Sequence, residues 1–137
     1  MELSLVTRKR LESVDLTRDV QRACGEWGGS GAVLVYCPHT SAGVGLDERF
    51  DPAVVEDIQE WLEKKAPHHA PYRHEEGNAD AHIKCLLTGS HVMIPVAGGR
   101  LVMGRWQGVF FFEFDGPRKR SVQLSFLTGT PEAESKP

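Results

Sequence analysis

The chain of 137 residues carries 16 Lys and Arg against 19 Asp and Glu, a net charge of −3 with histidine neutral, and 40% apolar residues. That length holds one hydrophobic core rather than two, and a pI near 6.1 argues against nucleic-acid binding through a basic face. The longest uninterrupted apolar run, residues 32–37, is far too short to span a bilayer, so no membrane partner is expected.

The first residues lack the apolar stretch and cleavage site of a signal peptide. Cys24, Cys37 and Cys85 form no Cys-x-x-Cys pair, and an odd count suggests reduced thiols. A cytoplasmic protein is expected. Residues 3–11 read as a strand that turns charged at Arg8, Lys9 and Arg10, near a sheet edge. Asp15 or Thr17 can cap a short helix running to Trp27, which Gly28-Gly29-Ser30-Gly31 ends. Residues 32–37 are continuously apolar and predict a central strand covered on both faces.

Asp51-Pro52 opens the clearest helix, with an acceptor for the first-turn amides and a proline that needs no donor there. Val54, Val55, Ile58, Trp61 and Leu62 recur on one face, and Pro67 stops the helix. Residues 91–96 and 100–103 flank Ala97-Gly98-Gly99 as a hairpin. Residues 109–114 form another strand, ended by Asp115-Gly116-Pro117. In 120–126, Val122, Leu124 and Phe126 alternate with Ser121, Gln123 and Ser125, giving one wet face. The pattern predicts one α+β domain over 1–129, largely antiparallel, with about three helices. Residues 130–137 read as a flexible polar tail.

Chemistry collects on the histidines. His39 follows the apolar strand directly, and His74 and His82 bracket Glu75-Glu76-Gly77-Asn78-Ala79-Asp80-Ala81, whereas His68, His69 and His91 read as structural or solvated. One helix over 74–82 would separate the rings of His74 and His82 by about 12 Å, too far for one metal. Gly77-Asn78 allows a loop carrying His74 followed by a helix with His82 in its first two turns. His39 then completes three imidazoles with one position left for water or substrate, and zinc is the first divalent metal to expect. Satisfied core histidines are the plainer alternative. Cys37 and Cys85 offer a Cys₂His₂ structural site, ranked lower because burial in apolar runs explains both thiols.

Lys84, Arg105 and Arg118 can bind phosphate, with amides at Gly77-Asn78 adding donors at a helix start. Ordinary roles compete: Arg118 pairing with Glu113 or Asp115 at a turn, and Lys84 on a wet helix face. No phosphate-binding loop or dinucleotide fingerprint is present. Ser41 lacks the nucleophile elbow of a hydrolase.

At these residues the sequence resembles the YjbQ-like family, also called the secondary thiamine-phosphate synthase family. The matching stretches are His39-Thr40-Ser41-Ala42-Gly43, Asp51-Pro52, and the run from Tyr72 through His74, Glu76-Gly77-Asn78-Ala79-Asp80-Ala81-His82 to Lys84. They continue with Gly104-x-Trp106-Gln107-Gly108 and Glu113-Phe114-Asp115-Gly116-Pro117-Arg118. The resemblance implies a compact α+β domain, a homotrimer, and metal-suited histidines at His39, His74 and His82. It also implies a low thiamine-phosphate synthase activity, joining a pyrimidine diphosphate to a thiazole phosphate with release of pyrophosphate. Arg105 stands where the family commonly has threonine, and Asp47-Glu48-Arg49 replaces an Asn-Glu-Asn-like stretch.

The expectation is therefore a metal-dependent enzyme for phosphorylated small molecules. His39, His74, His82 and Glu76 would be catalytic, and Lys84, Arg105, Arg118 and Asn78 would bind substrate. A non-catalytic metal or small-ligand module is the alternative from another class. A metal-dependent hydrolase, with Glu76 or Asp47 as base, is the third reading.

Overall fold

Two antiparallel sheets organise the residues that the computed structural model describes, 1–130. The strands are β1 (Glu2–Val6), β2 (Glu12–Asp15), β3 (Gly31–Tyr36), β4 (Ala42–Glu48), β5 (His91–Ala97), β6 (Arg100–Leu101), β7 (Gln107–Glu113) and β8 (Lys119–Thr128). The helices are α1 (Thr17–Trp27), α2 (Pro52–Lys65) and α3 (Ala79–Thr88). One sheet has the order β1-β8-β3-β5-β6 and the other β2-β7-β4. The expected α+β domain is what the chain forms. The tail expected at 130–137 lies outside the described residues, apart from Thr130.

The sheets enclose the larger core. Val33, Val35, Ile94, Val96, Val122 and Leu124 from the five-stranded sheet meet Val44, Val109 and Phe111 from the other, and Leu16, Val20 and Cys24 close one end. On the far side of the smaller sheet, Phe110, Phe112 and Phe114 pack with Leu62 of α2 and with Ala81 and Cys85 of α3. Alternation along β7 thus feeds two cores at once, each buried Phe contributing about 1.5–3 kcal/mol of transfer free energy. β7, not β3, is the strand with both faces covered. β3 is central in its sheet, but only Val33 and Val35 are buried; Leu34 is half-buried and Tyr36 is exposed.

Residues 3–11 do not make one strand. β1, an edge strand, stops at Val6, and the Glu12 carboxylate accepts the amides of Arg8 and Lys9, at 2.9 and 3.3 Å, folding the basic residues into a turn. The chain then enters the second sheet as β2. Around α1, Asp15 accepts from the Thr17 amide at 2.9 Å, and Gly28 stands at the C-terminus. Asp51 caps α2 by accepting from the Ala53 amide at 3.0 Å, with Pro52 in the first turn, as the sequence predicts. The expected hairpin forms with Gly98 and Gly99 at φ 54° and 78°, a backbone that favours glycine at both turn positions. Its second strand is only Arg100–Leu101.

β4 is the element the sequence reading lacks. Gly43 and Gly45 interrupt its apolar pattern, and the reason for Gly43 is close packing. A Cβ there would lie 2.8 Å from the Gly89 carbonyl and 3.0 Å from Thr88, where α3 ends against the strand. That contact fixes α3, and with it His82, against the β3–β4 loop.

Candidate functional site

α3 begins where the sequence places it, after Asn78, whose carbonyl accepts the amides of Ala81 and His82 at 3.0 and 3.4 Å. His82 therefore sits in the first turn, facing the loop between β3 and β4. Its Nδ1 lies 2.7 Å from the Thr40 carbonyl oxygen. A carbonyl only accepts, so Nδ1 carries the hydrogen and the Nε2 lone pair is left for a ligand or a proton. The ring of His74, brought back by the loop before α3, stands edge-on to His82 with centroids 5.1 Å apart. Two imidazoles bound to one tetrahedral metal have centroids about 5 Å apart. The pair fits that spacing.

His39 shares a cleft of about 530 Å³ with Thr40, His82, Cys85, Leu86 and Ser90. Its Nε2 lies 3.0 Å from the Ser121 carbonyl and 3.1 Å from the Ser121 amide. β3 pairs with β8 up to Tyr36 opposite Gln123. Continuing that register puts Pro38, which has no N–H, opposite Ser121, so the imidazole fills a vacancy in the ladder. Nε2 is committed to this backbone in either tautomer, and Nδ1 is the nitrogen left. Burial, and then the charge of Arg120, push His39 below the ordinary histidine range, keeping it neutral at pH 7. Among the described residues, no group of three or more His, Cys, Asp or Glu side chains is arranged to hold a metal.

The polar residues nominated by sequence divide. Asn78 and Arg118 come together on Asp115, whose Oδ2 accepts from Asn78 Nδ2 at 2.9 Å and from Arg118 Nη2 at 2.8 Å. This is the turn pairing expected for Arg118, whose side chain stays 49% exposed. Asn78 Oδ1 is buried without a partner. Glu76 lies 3.9 Å from His74 Nε2 and is 78% exposed.

Lys84 is not on a wet face. It is fully buried, and its Nζ donates to Glu63 at 2.9 Å and Asp80 at 3.0 Å. Arg10 joins the same two carboxylates, and His68, expected to be solvated or structural, bonds Asp80 at 3.1 Å. These charges tie α2, α3 and the β1–β2 turn together. Arg105 lies over the Trp106 ring at 5.1 Å, beside the end of β7 that pairs with Glu48. That is roughly 20 Å along the β4–β7 ladder from the end near His39. Asp47 faces a groove with Trp61 and Leu87, away from the histidines.

Both cleft-side thiols donate to carbonyls, Cys37 to Ala42 and Cys85 to His39, each at 3.5 Å. Burial pushes the Cys37 thiol up to about 11.

The sequence reading missed the support beneath His39. Arg120 and Glu113 are buried and ion-paired, and Thr7 donates to Glu113 at 2.7 Å. Burial raises the Glu113 carboxyl, but bonds from Arg120 and Thr7 outweigh it and hold it below the usual carboxylate range. Arg120 shares the parity of Val122 and Leu124 on the buried face of β8, and that alternation was the one signal the sequence carried for it.

The order of these motifs and the two-sheet frame have counterparts. The UPF0047 protein YjbQ-like family matches residues 1–129. This chain belongs to that family. A UPF0047 protein of Archaeoglobus fulgidus is 46% identical over 93% of this chain and 100% of its own length. The UPF0047 protein YugU of Bacillus subtilis is 42% identical over 91% and 96%. A crystal structure of an uncharacterised YjbQ/UPF0047 protein from Clostridium acetobutylicum superposes with a TM-score of 0.90 at 43% identity, covering 93% of this chain and 99% of that one. A structure from Aeropyrum pernix gives 0.89 at 36% identity, covering 94% and 98%. YjbQ-like membership fixes the fold and names no reaction.

Proposed function

We propose that this YjbQ-like chain is an enzyme acting on a phosphorylated small molecule at the His39–His74–His82 end of α3. The observation that carries the reading is the 2.7 Å bond from His82 to the Thr40 carbonyl, which leaves Nε2 free in a ring whose centroid is 5.1 Å from that of His74. Holding one ring nitrogen to a carbonyl is how proteins orient an imidazole for a metal or for proton transfer. His74 and His82 would hold a divalent metal, zinc by ligand chemistry, with His39 Nδ1 the further imidazole donor on the cleft. Such a metal supplies positive charge against a leaving phosphate group.

The protein's own residues would do the rest. Arg118, half-exposed and oriented by Asp115, would be the cation that meets a phosphate. Lys84 would act by holding α3, and Arg105 stands apart at the other end of the β4–β7 ladder. The reaction to assay first is the one the resemblance implies. The thiazole nitrogen bonds the pyrimidine methylene while the carbon–oxygen bond to the diphosphate breaks, its electron pair leaving with pyrophosphate.

The test measures metal content and thiamine-phosphate formation for the wild type, each histidine-to-alanine variant, and a variant with Cys37 and Cys85 changed to serine. The reading expects metal and product in the wild type, loss of metal at His74→Ala and His82→Ala with the fold kept, and near-normal metal in the cysteine variant. Metal that survives all three histidine changes, or leaves with the cysteines, overturns the metal assignment. Metal without product above a no-enzyme control overturns this reaction in favour of a binding module.

A further inference from the structure

Residues 120 and 121 of β8 grip the loop that carries the site. The Ser121 backbone takes His39 Nε2, and the Arg120 Nη2 donates to Ser41 O at 3.1 Å and to Ser41 Oγ at 2.9 Å. Between these anchors lies Thr40, whose carbonyl meets His82. The guanidinium cannot drift, because its Nε donates to Glu113 at 2.8 Å and Nη2 is paired with the other Glu113 oxygen. Ser41 is itself buried, and the Phe114 amide also reaches its carbonyl at 3.2 Å.

We propose that Arg120 is the positioning residue of the histidine cleft: by holding Ser41 it aims the Thr40 carbonyl at His82 and so determines which His82 nitrogen faces the cleft. The inference rests on the cleft being the working site, and it deepens that reading by naming what prepares it. The planar fork is essential. One guanidinium serves the Glu113 carboxylate and both Ser41 oxygens at fixed angles, which a point-charge ammonium cannot reproduce.

The test is long-range proton–nitrogen NMR of the imidazoles at neutral pH, with thermal unfolding beside it. The neutral ring of wild-type His82 is expected as the Nδ1–H tautomer. In Arg120→Lys, which keeps a charge against Glu113, and in the double variant Arg120→Met with Glu113→Gln, which leaves no lone buried charge, that form should fall to a minority. Val20→Ala, a cavity in the main core, should lower the melting temperature and leave the His82 signal unchanged. A purely structural Arg120 would behave as Val20 does. A wild-type His82 protonated at Nε2, or an unchanged pattern in either folded Arg120 variant, overturns the proposal; if the double variant does not fold, Arg120→Lys decides. The spectrum needs neither metal nor substrate, so its outcome is separate from that of the metal and product assays.

Discussion

A single lysine shows how burial decides a residue's role. Lys84 occupies a position that motif spacing marks as functional, yet its ammonium is enclosed with Asp80 and Glu63. Lys84→Met removes the partner of two carboxylates, one of them buried, and should cost about 3–5 kcal/mol in urea unfolding. Burial raises Asp80, but bonds from His68 and Lys84 outweigh it, and the net shift is downward. Glu63 is likewise lowered, burial being outweighed by Lys84 and Arg10. Both folded values lie below the unfolded ones near about 4. Their contribution is complete above the unfolded values and lost as pH falls through the folded ones. Unfolding midpoints should stay level from neutral pH until the carboxylate range and then drop, and in Lys84→Met, where both carboxyls lie closer to their unfolded values, the drop should be shallower.

At the scale of the element, legibility followed local periodicity. α2, the β5–β6 hairpin, β7 and β8 were readable because their patterns and punctuation lie within a few residues of each other. Asp51→Ala should cost about 1 kcal/mol by removing the α2 cap, measured by chemical denaturation. β4 was unreadable because Gly43 answers to α3, more than forty positions along the chain. Gly43→Ala should destabilise by about 1–3 kcal/mol as overpacking pushes Thr88 and Gly89 away. The same change should loosen His82 from Thr40, visible as faster hydrogen exchange in the first turn of α3.

The whole molecule leaves large apolar groups outside. Leu86 on the histidine cleft is 85% exposed and Trp61 on the Asp47 groove 55%, and Tyr36, Met93 and Leu127 are exposed along the five-stranded sheet. Surfaces of this kind favour association. The homotrimer implied by the resemblance is the expected assembly, and light scattering at micromolar concentration should return three chain masses; a monomer mass would count against it. No helix among the described residues is long and apolar enough to cross a membrane.

What the sequence determined by itself was the family, the run of strands with three helices, and the loop-then-helix arrangement that carries His74 to His82. Those features depend on neighbours in the chain, on caps, breakers and alternation, and a motif of that length is specific without coordinates. Only the tertiary structure decided which charges are spent and which remain. Lys84 meets Glu63 across 21 positions, Arg120 meets Ser41 across 79, and Thr7 meets Glu113 across 106. Electrostatic pairing acts through space, over a few ångströms, and a one-dimensional reading cannot measure that distance. The same reason hid the tautomer of His82, which is set by a carbonyl 42 positions away on the other side of the cleft.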